Sequence, residues 1–417
     1  MYIISCLEQQ KRAKRVYAEV KFPLILIHTP FGLEFFDKIA KTRPAKFYAS
    51  FNTYIMPAIT ALAIFLIIGS LMVLVANSTA RQGVASVGPT ANLLIPGINP
   101  YLPIIYGWPA LIITIIIHEA GHGIVARVYN IRVDSTGILL LGIIPVGAFV
   151  NIERDELSRA TLKQKSAVLT AGPLNNMILA GASLLALYLV VSTLTPLPPG
   201  PNAPQFGIKV LSVNKGSLAE SIGMKAESVI QDVGGQQIKS TEDLGNLLRS
   251  NLGKTVEITW IDASENKITR HVNLPPAVEP GRGVLGIGVT PLSPDSRAVL
   301  ERYKSAFGQN PLALLLPPTM QQGAVPYSDL MAPKYQSNTF GPTFAPLANM
   351  LFWLWFINFN VGIFNALPIG PLDGGQLYSS LIEQKAKSKA LAKNANTLLT
   401  LVMVAIVIAS FALPYIY

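Results

Sequence analysis

Cysteine and charge are what this chain of 417 residues has least of: one Cys, and 13% Asp, Glu, Lys and Arg against about a quarter in an average soluble domain. A lone thiol, Cys6, cannot close an internal disulfide or build a cysteine-based metal site. That excludes a disulfide-stapled secreted fold and leaves any metal to His, Asp or Glu. Scarce charge with 50% hydrophobic residues and a mean hydropathy of +0.42 excludes an ordinary cytosolic enzyme and a disordered chain. Such a composition belongs in a bilayer.

Acidic residues are the scarcer sign, giving a net charge of +10, but the excess is not a nucleic-acid footprint. It sits in short segments beside apolar runs: nine Lys/Arg against four Asp/Glu in residues 1–50, six against four in 126–165, and four against one in 376–394. Residues 203–310 are nearly balanced, twelve against eleven. Five long stretches with little or no charge can each house the roughly 20 apolar residues that a spanning helix needs, near 55–76, 103–127, 167–193, 344–366 and 395–414, the second continuing through Glu119. Cytoplasmic loops are enriched in Lys and Arg. Lys38, Lys41, Arg43 and Lys46 therefore place the N-terminus in the cytoplasm, and each later connection agrees with its neighbours.

The expected fold class is a polytopic α-helical membrane protein of five or six spans, five by the count above, with an inserted extracytoplasmic α+β domain and a short membrane-associated β-hairpin. Residues 1–54 form a basic cytoplasmic segment, 55–195 the first membrane part, 203–290 the inserted domain, 291–343 an irregular or partly helical connector, and 344–417 the second membrane part. The Pro-rich run TPLPPGPNAP ends the first membrane part as a stiff linker. Beyond it, alternation over Gly207–Val213 and Thr255–Ile261 predicts strands, and Thr241–Arg249 reads as a helix. Phe22–Ile27 is too short to span. Thr136–Asn151, apolar but interrupted by Gly142, Pro145 and Gly147, fits a re-entrant or membrane-surface hairpin.

One apolar stretch runs into charge: Ile117-His118-Glu119-Ala120-Gly121-His122-Gly123. On a helix, His118 and His122 lie one above the other, so both imidazoles can reach one metal ion, and Glu119 beside them can take a proton from water held there. The alternative, two helix-end histidines bonding backbone or headgroups, leaves unexplained why three ionisable groups sit on adjoining turns of a span, where each is costly. His28 and His271 read as ordinary structural histidines. Zinc wants a third protein ligand and an open position for water. Asp373, in Asn365-Ala366-Leu367-Pro368-Ile369-Gly370-Pro371-Leu372-Asp373-Gly374-Gly375, is the sole charge of its stretch and lies at similar depth by the topology above. A divalent ion with anionic Asp373 and Glu119 is formally neutral, which lowers the desolvation cost. A turn aspartate before two glycines is the ordinary alternative. Ala171-Gly172-Pro173-Leu174-Asn175-Asn176 opens another span with small residues for close packing, and an Asn in such a helix needs a hydrogen-bond partner.

HEAGH, AGPLNN and NALPIGPLDGG, in that order, resemble the three signatures of the site-two protease family of intramembrane zinc metalloproteases, over roughly residues 103–380. The resemblance implies that His118, His122 and Asp373 ligate one Zn2+, that Glu119 is the general base, and that Asn176 and Asn365 support the site or hold substrate. Gly137–Val150, with Gly147 and Phe149, matches the family's membrane-embedded strands that hold substrate. The inserted domain resembles a PDZ domain through Val213-Asn214-Lys215-Gly216-Ser217-Leu218-Ala219 and Val229-Ile230-Gln231-Asp232-Val233-Gly234-Gly235, with Phe206-Gly207-Ile208 as its peptide carboxylate loop. Leu218, Glu227-Ser228 and Gly234 depart from the usual PDZ pattern.

The function so implied is a multi-pass endopeptidase, expected in the cell membrane, that cuts single-span membrane proteins near their cytoplasmic side, with the lipid bilayer as its surroundings and no nucleic-acid partner. Two readings from other classes stay open: a metal transporter whose His and Asp line a pathway, and a catalytically silent adaptor that works through its exterior domain.

Overall fold

A computed structural model describes residues 16–142, 144–198, 206–278, 283–292 and 296–416. The first described elements are a hairpin, β1 (Tyr17–Lys21) and β2 (Leu24–Thr29), and two short helices, α1 (Leu33–Ala40) and α2 (Arg43–Asn52). Next come α3 (Met56–Ala76), α4 (Ser78–Val87) and α5 (Ile104–Val128), then a second hairpin, β3 (Val133–Leu141) and β4 (Ile144–Ile152), and helices α6 (Arg154–Arg159) and α7 (Leu162–Ser192). The inserted part holds β5 (Leu194–Pro196), β6 (Ile208–Val213), α8 (Leu218–Ser221), β7 (Val229–Val233), β8 (Gln236–Gln237), α9 (Thr241–Ser250), β9 (Thr255–Ile261), β10 (Lys267–Asn273), β11 (Ile287–Pro291), α10 (Ser296–Gln309) and β12 (Tyr335–Ser337). Helices α11 (Phe344–Asn365), α12 (Asp373–Lys385) and α13 (Lys389–Ile416) follow. Two compact units result: Val190–Ala345, and the residues before and after it.

Among the described residues, five helical stretches are long and apolar enough to cross a membrane: Met56–Ala76, Ile104–Val128, Leu162–Ser192, Gly341–Asn365 and Lys389–Ile416. They coincide closely with the five expected from charge and length. Helix α3 shows why. It is apolar on every side, and Phe65, Met72 and Val75 stay exposed, a surface that suits hydrocarbon better than water. Local signals set the shorter helices: Thr42 caps α2 by accepting the Ala45 N–H at 3.3 Å, with Pro44 in the first turn.

The expected hairpin is present but belongs to a larger sheet. Strands run in the order β1-β2-β3-β4, all antiparallel. The piece Phe22–Ile27, which the sequence marks only as too short to span, contributes to β2, with Ile27 opposite Ile138 and His28 opposite Gly137. A residue with a Cβ at position 137 would collide with the Ile27 carbonyl and the Phe149 ring, so glycine is what lets the two hairpins close. Among the described residues, strand β4 is left as an edge.

In the inserted unit the sheet order is β10-β9-β7-β6-β11, with β8 paired to β7. Its core is formed by Ile208, Ile230, Ile238, Ile258 and Trp260, all fully buried or nearly so, each contributing about 1.5–3 kcal/mol relative to exposure. Strand β9 matches its expected bounds, and a capping box between Ser240 and Asp243 starts α9 where the sequence expects a helix. The expected linker lies largely at 199–205, outside the described residues. The connector expected at 291–343 contains α10, short 3-10 turns and β12.

The carboxylate loop expected at Phe206-Gly207-Ile208 needs correction. Ile208 and Lys209 pair with Ile230 and Val229 of β7 on one side and with Pro291 and Thr290 of β11 on the other. Strand β6 is interior, so a peptide has no free edge to join there. Among the described residues, the open edges of this sheet belong to β10 and β11.

Candidate metal centre

Helix α5 carries His118 and His122 one turn apart, each 7% exposed. Their Nε2 atoms are 3.2 Å apart, and Asp373 Oδ2 lies 3.1 Å from one and 3.3 Å from the other. Ligand atoms placed about 2.0–2.1 Å from a tetrahedral zinc lie about 3.3 Å from one another. The triangle therefore has the size that zinc requires. Space is also reserved: a Cβ at Gly172 of α7 would lie 2.6 Å from His118 Nε2 and closer still to His122 Nε2, so glycine leaves a cradle at the ligand atoms. These three residues form the one group of potential ligands of this kind among the described residues.

Asp373 arrives by a tight turn. Helix α11 stops at Asn365, and Asp373 begins α12 rather than ending the span. Cβ atoms at Gly374 and Gly375 would strike the carbonyls of Ala366 and Ile369, which explains the glycine pair after the aspartate. The Thr60 hydroxyl of α3 donates to the Ala366 carbonyl at 2.7 Å and holds the turn from the other side.

Outer contacts orient the two imidazoles. His122 Nδ1 lies 2.7 Å from the Val168 carbonyl, an acceptor that fixes the hydrogen on Nδ1 and frees Nε2 to ligate. Asn176 Nδ2 lies 3.0 Å from His118 Nδ1, while its buried Oδ1 has no partner among the described residues. Turning that amide over puts its oxygen on Nδ1, the acceptor needed when Nε2 ligates. The sequence thus points to Asn176 but misses its neighbour. Asn175 donates to the Ile117 carbonyl at 2.9 Å and accepts the Tyr48 hydroxyl at 2.6 Å. Burial pushes the Tyr48 phenol up to about 12, so it remains a donor at neutral pH. A doublet of amides in an apolar helix was the available signal: adjacent positions can address successive groups of one neighbouring helix. Gly121 permits the approach, since a Cβ there would lie 2.6 Å from both the Ala171 carbonyl oxygen and Asn175 Nδ2.

Glu119 is turned elsewhere. Its Oε2 accepts the Val150 N–H of β4 at 2.9 Å. That N–H therefore points away from β3, toward the open edge of the sheet. Glu119, Ala148, Phe149 and Val150 line a cavity of ≈ 2010 Å³. Of the residues expected to hold substrate, Phe149 faces this cavity, its ring edge-on to His28 at 4.8 Å. Gly147 lies on the same strand opposite Leu139. Asn365 is not drawn to the histidines: its amide donates to the Val361 carbonyl of its own helix at 3.1 Å.

Similarity to known proteins agrees with this arrangement. The chain is 25% identical over 359 residues, 86% of its length and 77% of the other's, to an uncharacterized protein of Methanocaldococcus jannaschii. It is 26% identical over 324 residues, 66% of its length and 84% of the other's, to a Nostoc sp. protein named "Putative zinc metalloprotease". A Clostridium acetobutylicum protein of the same designation is 25% identical over 304 residues, 65% of this chain and 84% of that one. The model of Peptidase family M50 matches residues 106–410, a stretch that takes in the HExxH helix, the asparagine doublet and the aspartate turn. The chain belongs to peptidase family M50, the site-two protease family.

Proposed function

We propose that this metalloprotease hydrolyses peptide bonds within or next to the membrane-spanning segments of other proteins, with one zinc ion held by His118, His122 and Asp373 and with Glu119 as general base. The observation that carries the reading is the triangle of 3.1–3.3 Å between three buried ligand atoms, with Glu119 next in sequence and facing a cleft. Zinc bound there supplies Lewis acidity toward the scissile carbonyl and acidifies water toward neutrality. Glu119 takes the proton of the attacking water and passes it to the leaving amine. Asn176 and the Val168 carbonyl hold the imidazoles in the tautomer that leaves both Nε2 atoms free.

A helical peptide bond is hydrogen-bonded and shielded, so a substrate span must unwind before it can be cut. The open edge of β4 suits the unwound form. Side-by-side alternation in an antiparallel ladder turns the main-chain groups of Ala148 to the same side as the Val150 N–H, and an added strand would pair with them. Basic connections support a cytoplasmic N-terminus, a cut near the cytoplasmic side and an inserted unit on the far side of the cell membrane. The path of five strands with α9 beside it supports a PDZ-like reading of that unit.

A transporter would place candidate ligands along several spans, whereas the described residues group them at one point. An adaptor would not depend on Glu119. Purified protein in liposomes with a single-span substrate separates the readings. Proteolysis that stops with a zinc chelator and returns with zinc supports the protease; metal flux without cleavage supports the transporter; neither supports the adaptor.

A further inference from the structure

The M50 match begins at residue 106, yet 12 of the 22 residues lining the cleft at Glu119 lie between Val16 and Lys38. This N-terminal segment is fastened to the machinery at three points. The Phe36 ring occupies the space over Gly123, where a Cβ would lie 2.6 Å from it. Asp37 pairs with Arg127 of α5, Oδ1 to Nε 3.2 Å. His28 Nδ1 bonds the Ser135 hydroxyl at 2.9 Å, and its ring rests against Phe149. Helix α1 is therefore fastened to the helix that carries Glu119, and it lines the same cleft as β4.

Two aromatic side chains of this segment line the cleft and remain open: Phe31 at 82% exposure and Phe35 at 56%. We propose that residues 27–38 form the second wall of the substrate cleft, and that Phe31 and Phe35 grip apolar side chains of an extended substrate segment lying along β4, thereby setting which bond reaches Glu119. This rests on the protease reading above and names a specificity element within it. The occupant is an unwound apolar peptide rather than a lipid chain. The outward main-chain N–H and C=O of Ala148 would go unpaired against hydrocarbon, at several kcal/mol each, whereas a peptide strand pairs with them while its side chains meet the two rings.

The test uses the full chain in membranes. A photoactivatable benzoylphenylalanine replaces Phe35 or Phe31 in the Glu119→Gln background, and the probe is a single-span substrate with a leucine-rich span. The expected result is a covalent adduct to the substrate within or beside that span; adducts to lipid alone overturn the proposal. Capture is read on inactive protein, so failure of proteolysis would sink the protease reading without deciding this one. In active protein, the double variant Phe31→Ala/Phe35→Ala is expected to lower kcat/KM about tenfold and to move the cut site by mass spectrometry, at full zinc content. Leu at both positions restores most of the loss. Phe22→Ala, 96% exposed and outside the cleft, controls for removing an exposed aromatic. An unchanged cut site and unchanged kcat/KM in the double alanine variant contradict the proposal.

Discussion

The carboxylate of Glu119 accepts the backbone N–H of Val150 at 2.9 Å, joining the helix of the two histidines to the edge strand of the cleft. The proposed general base and the strand proposed to receive substrate are thus tied together by one hydrogen bond. Val150→Pro removes that donor. The N–H faces away from β3, so the ladder is spared. A hydrogen bond to a charged group contributes about 1.5–3 kcal/mol, and the expected outcome is a loss of cleavage of roughly ten- to a hundredfold at unchanged zinc content, measured on a single-span substrate.

Gly172 leaves room at the ligand atoms. In Gly172→Ala, the added methyl overlaps the imidazole nitrogens and displaces them, and the purified variant is expected to hold no zinc by elemental analysis. Gly181→Ala is the matched control, in the same helix with nothing within 4 Å of the added Cβ, and should hold zinc normally.

The partner of His118 is separable from the ligands themselves. Asn176→Ala leaves Nδ1 without its acceptor and is expected to weaken zinc binding about 10–100-fold, read by competition with a chelator. Asn365→Ala, which removes an amide that donates to the Val361 carbonyl of its own helix, should leave zinc affinity unaltered.

In the inserted unit, the Ser240 hydroxyl, followed by the backbone N–H groups of Lys239 and Ser240, holds the Asp243 carboxyl below its usual range. A carboxylate with a lowered folded-state pKa contributes stability above its unfolded pKa and loses it as pH falls through the folded value. The cap is therefore intact at neutral pH and weakens only below about pH 4. Ser240→Ala should destabilise α9 by about 1 kcal/mol, seen as faster hydrogen exchange of its amides in the full chain at pH 7.

What was legible in the sequence follows the range of the interaction. The five apolar helices and the His118–His122 pair are encoded by composition and by a spacing of four residues, and both stand in the structure as expected. Asp373 was legible as an isolated charge, although the turn that delivers it depends on carbonyls of Ala366 and Ile369 that no pattern announces. The joining of β2 to β3 was not legible, because His28 and Ser135 meet across 107 positions and six residues of β2 carry too little periodicity to name a partner. The contribution of residues 16–38 to the cleft was hidden for the same reason. Tyr48 and Asn175 were missed because a hydrogen bond between distant elements leaves no local trace. The loop at Phe206 failed as a peptide site because strand order, not the loop's own sequence, decides which edge is open.

The central claim is that Glu119 performs proton transfer at a zinc held by His118, His122 and Asp373. Glu119→Gln keeps the shape and removes the base, so the decisive measurement is cleavage of a reconstituted single-span substrate by this variant alongside its zinc content. The account predicts one zinc per chain and cleavage reduced by at least about a thousandfold. Full cleavage by the zinc-loaded variant would contradict it.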